Sequence, residues 1–308
     1  MSKLLITGCN SMIGKHLISY LESINDYKVI ALSHKDCNLT CLKSTSYMFS
    51  NILPDFLINL AGFNGNIDFS KKYPADIFYK TSQIALNSLY AAQQYGVKKI
   101  VNIISSCAIA DIGDKQLKEN ELWAGLPNSS IEAHGLAKRV WDAYSRQLYK
   151  QYGTIAVSAI VNNSFGEFDN TDINKTKAVM GIIKRVVNAQ RENLPFIECW
   201  GSGEVYREFI YAGDVAKGLV EVLKKYDNPM EPINISSKDE ISIKELTYKI
   251  ASIVGYKGEI RWDISKPDGQ KRKSLNTDKM SNMLNMNFTP IDTALLKTIE
   301  WYKGIKDA

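Results

Sequence analysis

The chain of 308 residues has three histidines, at 16, 34 and 134, too scattered to suggest a metal site. Its five cysteines are odd in number and form no CxxC pair, which disfavours both a disulfide framework and structural zinc. No apolar run approaches the roughly 20 residues needed to cross a bilayer, so no membrane role is expected. MSKLLITG leads into a strand-like segment without the basic and apolar regions of a signal peptide, so a cytoplasmic location is expected. The net charge is only +5, and the sole dense basic block is KPDGQKRK at 266–273. One short basic loop suits an anionic small molecule better than nucleic acid. There is no internal repeat and no low-complexity segment.

What is present is alternation. KLLIT, YKVIALS, DFLINLAG, KKIVNIISS and TIAVSAIVNN read as strands, separated by helical patterns that include IGKHLISYLESI, a helix at about 75–95 and another at about 131–152. Strands alternating with helices predict an α/β fold, a doubly wound parallel (Rossmann) sheet. Beyond about residue 163 the pattern loosens. Helices near 176–192, 214–226, 242–254 and 291–303 are separated by short strands and polar loops. The expected division is a dinucleotide-binding domain over 1–163 and a smaller α/β substrate-binding region over 164–308, with segments free to interleave.

ITGCNSMIGKHL places Gly8 and Gly14 between the first strand and the first helix, with Asn10, Ser11, Met12 and Ile13 between them. Backbone N–H groups of such a turn, with the helix N-terminus behind them, can hold a pyrophosphate. Ser11 stands where the usual pattern has a middle glycine, and it is small enough for close approach. At the end of the second strand, where an acidic residue would bond a ribose 2′-hydroxyl, the chain has Ser33, His34 and Lys35. A cation there favours NADPH over NADH, with Asp36 pulling the other way.

ITGCNSMIG, NLAG, ISSC at a strand end and the downstream AHGLAK together resemble the extended short-chain dehydrogenase/reductases of the NAD-dependent epimerase/dehydratase family. YPADIFYK, AAQQYGVKKIV, WGSGEVYREFIYAGD, VGYKG and SKPDGQKRK extend the likeness over nearly the whole chain, toward the GDP-fucose synthase branch. The resemblance implies an NADPH-dependent enzyme acting on a GDP-linked keto sugar, with Leu60, Ala61 and Gly62 beside the cofactor. It implies that Ser105 bonds the sugar carbonyl and that Lys138 holds the nicotinamide ribose. His134 falls where the family has a proton-donating tyrosine. Residues i and i+4 share a helix face, so His134 and Lys138 can both point at one cofactor.

An imidazolium, with a reference pKa of about 6.5, is a competent acid near neutrality, although a neighbouring Lys138 ammonium disfavours that form. A water relay through Ser105 would replace it, and a silent site filled by His134 is the plain alternative. The family also epimerises carbons beside the ketone, using a cysteine and a histidine. Cys107 matches the first, but the histidine position is Lys177, which predicts carbon-4 ketone reduction with epimerisation lost or weak. Cys107 as a small buried residue is the bland reading.

The same resemblance assigns Arg185, Arg207 and Lys273 to the diphosphate, and Trp200, Ser106 and Asn163 to the substrate side. It further implies a homodimer formed through the 75–95 helix and the Lys138 helix. The leading expectation is a reductase of a GDP-4-keto-heptose or GDP-4-keto-6-deoxyhexose for surface polysaccharide synthesis. The alternatives are a bifunctional epimerase/reductase, a GDP-sugar 4-dehydrogenase, and a nucleotide-sugar or cofactor-binding protein without turnover.

Overall fold

The computed structural model describes residues 1–172, 175–266, 268 and 271–305. A six-stranded parallel sheet in the order β2-β1-β3-β4-β5-β9 forms its centre. These strands are β1 (Lys3–Thr7), β2 (Lys28–Leu32), β3 (Phe56–Asn59), β4 (Lys99–Ser105), β5 (Ile155–Val161) and β9 (Ile233–Ile235). The inner strands are covered on both faces, so KLLIT and IAVSAIV are apolar without alternation. The order reverses at β1, flanked by β2 and β3, and the crevice above that point is where such sheets bind ligands.

Helices α1 (Met12–Ile24), α2 (Leu42–Ile52), α3 (Ile67–Lys72), α4 (Pro74–Gln94) and α5 (Glu132–Tyr152) connect the strands. The last two lie close to the sequence expectations. In α5 the buried positions include Ala137, Lys138, Trp141, Ser145 and Leu148, a stripe at helical spacing that packs on α4 and β5. Trp141 has no exposed surface, and truncating such a side chain to alanine costs about 3–5 kcal/mol.

The second region holds β6 (Asn163–Phe165), α6 (Ala178–Arg191), β7 (Phe196–Trp200), β8 (Tyr206–Tyr211), α7 (Ala212–Lys225) and β10 (Glu240–Ser242). After these come α8 (Ile243–Val254), β11 (Glu259–Asp263), β12 (Arg272–Lys273), α9 (Asp278–Met283) and α10 (Ile291–Gly304). Strand β8 lies between β10 and β12 and also pairs with β6, while β7 pairs with β11. Ile183, Val186, Leu246, Ile250, Leu295 and Ile299 form this region's core. The chain crosses back between the two regions. Helix α7 and β9 contribute Leu219, Val220, Ile233 and Ile235 to the same core as Leu4, Ile6, Leu17 and Val101 of the central sheet. Of the stretches carrying the resemblance, SKPDGQKRK falls partly outside the described residues, at 267, 269 and 270. No helix among the described residues is long and apolar enough to cross a membrane.

Candidate active site

The turn after β1 is built for close backbone approach. Gly8 has φ +70°, and a Cβ there would lie 2.9 Å from the Ala61 nitrogen and 3.0 Å from the Leu60 carbonyl carbon. A Cβ at Gly14 would lie 2.6 Å from the carbonyl oxygens of both Gly8 and Cys9. Only glycine fits at either position, so the turn folds tightly against the exit of β3 and leads directly into the N-terminus of α1. Ser11 does more than keep the turn small. It is the N-cap of α1, its Oγ accepting from the Gly14 N–H at 3.1 Å and donating to the Gly8 carbonyl at 2.8 Å. Met12 and Ile13 follow in the first helical turn, and the Asn10 side chain is exposed, its Oδ1 3.7 Å from the Cys9 sulfur.

Leu60, Ala61 and Gly62 leave β3 beside this turn, with the Ala61 N–H donating to Thr7 Oγ1 at 3.3 Å. His34 and Lys35 are exposed just after β2. Asp36, beside them, accepts from the Ser33 N–H at 2.8 Å and Oγ at 2.6 Å, and these bonds hold its carboxyl below the usual range. The carboxylate is thus committed to its own turn, while the Lys35 side chain extends from it.

Opposite, β4 ends at Ser105 and turns sharply through a short 3₁₀ segment, Ser106–Ala108. The Cys107 N–H donates to Ser105 Oγ at 3.2 Å, and the hydroxyl in turn bears on the Cys107 sulfur. Ser106 is buried and donates to Asn162 Oδ1 at 3.0 Å. Gly135 lets α5 press on this turn, since a Cβ there would fall 2.5 Å from the Cys107 carbonyl oxygen. His134, the preceding residue, is set against the Cys107 sulfur, and its Nε2 is buried with no hydrogen-bond partner.

One turn further along α5, Lys138 is 5% exposed. Its Nζ donates to the Ile103 carbonyl at 2.9 Å, lies 4.7 Å from the Trp141 ring centroid and is 3.7 Å from where a Gly62 Cβ would stand. Burial pushes its pKa down to about 7. The lysine therefore reaches the exit of β3.

On the other side, Lys273 Nζ donates to the Cys107 sulfur at 3.2 Å. Burial alone would raise the Cys107 pKa, but Lys273, then His134 and the Ser105 hydroxyl outweigh it and bring the thiol down to about 5. Lys273, expected on the diphosphate, is turned inward onto this sulfur. It pairs in register with Arg207, so the two expected phosphate ligands do come together on adjacent strands. Arg207 Nη1 donates to the Tyr206 carbonyl at 2.7 Å, and burial lowers its pKa against the opposing pull of Asp268.

The remaining expected ligands are more dispersed. Arg185 is exposed on α6, 3.6 Å from the Cys199 sulfur. Trp200 is 65% exposed at the end of β7, with Lys266 5.8 Å from its ring. Asn163 donates to the Glu208 carbonyl at 3.1 Å. Lys177 is exposed at the N-terminus of α6, where its charge bears on the buried Asp169.

Sequence reasoning missed Glu208. This wholly buried carboxylate accepts at Oε2 from Asn162 Nδ2, Ser236 Oγ and the Leu275 N–H, each at 2.8 Å. It ties the ends of β5 and β9 to the segment after Lys273, and through Asn162 it braces Ser106. The available signal was an acid inside the apolar strand YREFIY.

A family model, the NAD dependent epimerase/dehydratase family, matches residues 4–236. A GDP-L-colitose synthase of Yersinia pseudotuberculosis is 30% identical over 310 residues, covering 99% of each chain. A GDP-L-fucose synthase of Dictyostelium discoideum is 30% identical over 304 residues, covering 97% of this chain and 94% of the other. The crystal structure of a GDP-L-fucose synthetase from Naegleria fowleri bound to NADP superposes with a TM-score of 0.90 at 26% identity, covering 98% of this chain and 94% of that one.

Proposed function

The chain belongs to the NAD dependent epimerase/dehydratase family, and we propose that within it the protein is an oxidoreductase that uses NADPH to reduce the carbon-4 ketone of a GDP-linked keto sugar. The similar GDP-L-fucose and GDP-L-colitose synthases support a GDP-sugar substrate, and the NADP-bound relative supports the cofactor. The observation that carries the reading is local. Ser105 and His134 both bear on the Cys107 sulfur at the end of β4, with Lys138, one turn along α5, reaching the Gly62 side and Lys273 closing the other.

The residues present fit the cofactor, since Gly8 and Gly14 let the turn pack tightly on the exit of β3 and on itself, which sets the N-terminus of α1 at the end of β1. Gly8, Ser11, Met12, Ile13 and Gly14 would hold the pyrophosphate, Lys35 the 2′-phosphate, and Lys138 the nicotinamide ribose. The bound cofactor supplies a hydride. Ser105 would donate a hydrogen bond to the ketone oxygen, keeping its own proton, and so polarise the carbonyl and fix the sugar. His134 delivers the proton that completes the alcohol, a contribution of roughly 10²–10⁴ in rate for a positioned general acid. Arg207 and Arg185 would hold the diphosphate, with Trp200 and Asn163 along the sugar nucleotide.

The sugar is a GDP-4-keto-heptose or GDP-4-keto-6-deoxyhexose, an intermediate for surface polysaccharide. Epimerisation by a cysteine and histidine pair is lost or weak in this reading, because an exposed lysine stands at 177. We also infer a homodimer. Tyr79, Leu86 and Tyr90 of α4 and Tyr149 and Tyr152 of α5 leave large apolar groups exposed on two neighbouring helices. Five free thiols suit the reducing cytoplasm.

The experiment is NADPH oxidation followed by absorbance with a panel of GDP-4-keto sugars, for wild type and His134→Tyr. Turnover by wild type on any of them supports the reductase. No turnover by wild type, with activity gained in the tyrosine variant, would replace it with a binding protein whose acid has been lost.

A further inference from the structure

Cys107 has a purpose in this site that the loss of epimerisation does not remove. Its sulfur receives the Lys273 ammonium at 3.2 Å, and that lysine is only 9% exposed. Removing an ammonium from water is costly unless an anion meets it, and a neutral thiol offers little in return. The backbone around the sulfur is held as tightly. Ser105 fixes the Cys107 N–H, and the absence of a Cβ at Gly135 lets α5 touch the Cys107 carbonyl. His134 is carried to the same sulfur by that contact. The groups that bear on the sulfur are Lys273 from β12, His134 from α5 and the Ser105 hydroxyl from β4; Lys138 follows one turn beyond His134.

The geometry points to a relay in which Lys273 keeps Cys107 as a thiolate, and the thiolate anchors the His134 ring and serves as counter-ion to its protonated form during ketone reduction. Lys273 and Cys107 are thus positioning residues, and His134 is the group that meets the substrate. A tyrosine acting as acid starts neutral and needs no counter-ion. An imidazole acting as acid starts with a positive charge, in a site that already holds two lysines, and an anion beside it offsets that repulsion.

The step balances without redox chemistry at sulfur. Hydride from the reduced cofactor forms the new C–H bond, and the C=O π electrons move onto oxygen. The N–H bond of the imidazolium breaks as the O–H bond forms. His134 is left neutral beside the thiolate and regains its proton from solvent. This inference rests on the reductase reading, but its first readout does not require turnover.

The test uses the full-length protein. Alkylation of Cys107 by iodoacetamide, located by peptide mass, is followed against pH in wild type, Lys273→Met and Lys273→Arg. In wild type the rate is expected to titrate in the acid range, near the value of about 5 set by its neighbours. Lys273→Met is expected to move that titration up by roughly two pH units or more, toward the ordinary thiol range, and Lys273→Arg to keep it low. In parallel, Cys107→Ala and Cys107→Ser are expected to lower kcat roughly tenfold or more, with KM little changed. In both, the limb where kcat falls with rising pH should move to lower pH.

An ordinary thiol titration in wild type would overturn the ion pair, whatever the activity. Turnover with an unmoved kcat profile in both cysteine variants would overturn the relay while leaving the reductase intact. Deuterium entering the sugar beside the carbonyl in heavy water, and only with Cys107 present, would make the sulfur a base and overturn it as well. No wild-type turnover on any keto sugar, with the acid-range alkylation in place, would overturn the reductase reading and with it the relay, while leaving the Lys273–Cys107 pair.

Discussion

Replacing Lys138 by methionine should make the protein more stable and inactive, with a pH dependence that identifies the cause. The ammonium is 5% exposed, and burial takes its pKa to about 7 in the folded protein. In the unfolded chain a lysine titrates at about 10.4, and each pH decade between the two values corresponds to about 1.4 kcal/mol. The charged lysine thus costs at most about 4–5 kcal/mol below neutrality. The sign is fixed by proton binding. The unfolded chain holds more protons than the folded one between about pH 7 and pH 10, so wild-type stability rises through that window.

Methionine keeps the packing but gives up the hydrogen bond to Ile103 and the seat over Trp141, worth about 1 kcal/mol each. The expected net gain is about 2–3 kcal/mol near pH 6, vanishing or reversing above about pH 10. Urea unfolding of both proteins across this range measures it, and the difference between them isolates the one group. A difference that does not change with pH would refute the argument, because burial would then not be acting on the ammonium. Turnover should fall about a hundredfold or more in the same variant, the exchange of stability for function expected of a strained active-site group.

Three further outcomes follow from contacts in the site. Gly14→Ala places a methyl group against two backbone carbonyls and should weaken NADPH binding on the order of a hundredfold, measured by fluorescence titration. Ser11→Ala removes the α1 N-cap and should cost about 1 kcal/mol in denaturant unfolding, whereas Ser11→Gly should cost only a few tenths. Glu208→Ala leaves three buried donors without their acceptor and should lower stability by about 3 kcal/mol, read from the urea midpoint.

The fold was legible where burial and local periodicity agree. The inner strands are continuous apolar runs, and α5 repeats its buried side chains at helical spacing from Gly135 to Leu148. Helix α2, LKSTSYMFSNI, was missed because serines and threonines dilute its apolar pattern. It forms because Thr45 and Phe49, four apart, reach the core beneath β1 and β3. Strand β12 is two residues long, and pairing with β8 alone makes it a strand. The site divides in the same way. Ser105 at a strand end and His134 with Lys138 at i and i+4 are local patterns, visible without coordinates. The contact between Lys273 and Cys107 spans 166 residues and depends on the register of β12 against β8, which no periodicity reports.

Of the two departures from the expected pattern, the histidine at 134 is set against Cys107, whereas the lysine at 177 stands exposed at the start of α6. Had the thiol been left idle when the position at 177 changed, a neutral sulfur among small side chains would serve the fold as well. The structure instead sets the mostly buried Lys273 Nζ 3.2 Å from it, and a charged sulfur offsets the cost of burying that ammonium. Gly135 makes the same point through the backbone, since any Cβ there would push α5, and His134 with it, off the Cys107 carbonyl. Thus Cys107 ionisation, Lys273 burial and the placement of His134 are consequences of one arrangement. A change that breaks any of them should be felt at the other two, and Gly135→Ala tests this without altering a titratable group. It should raise the pH at which Cys107 becomes reactive, as Lys273→Met does, and an unchanged titration in a folded Gly135→Ala protein would separate the helix contact from the charge it is argued to support.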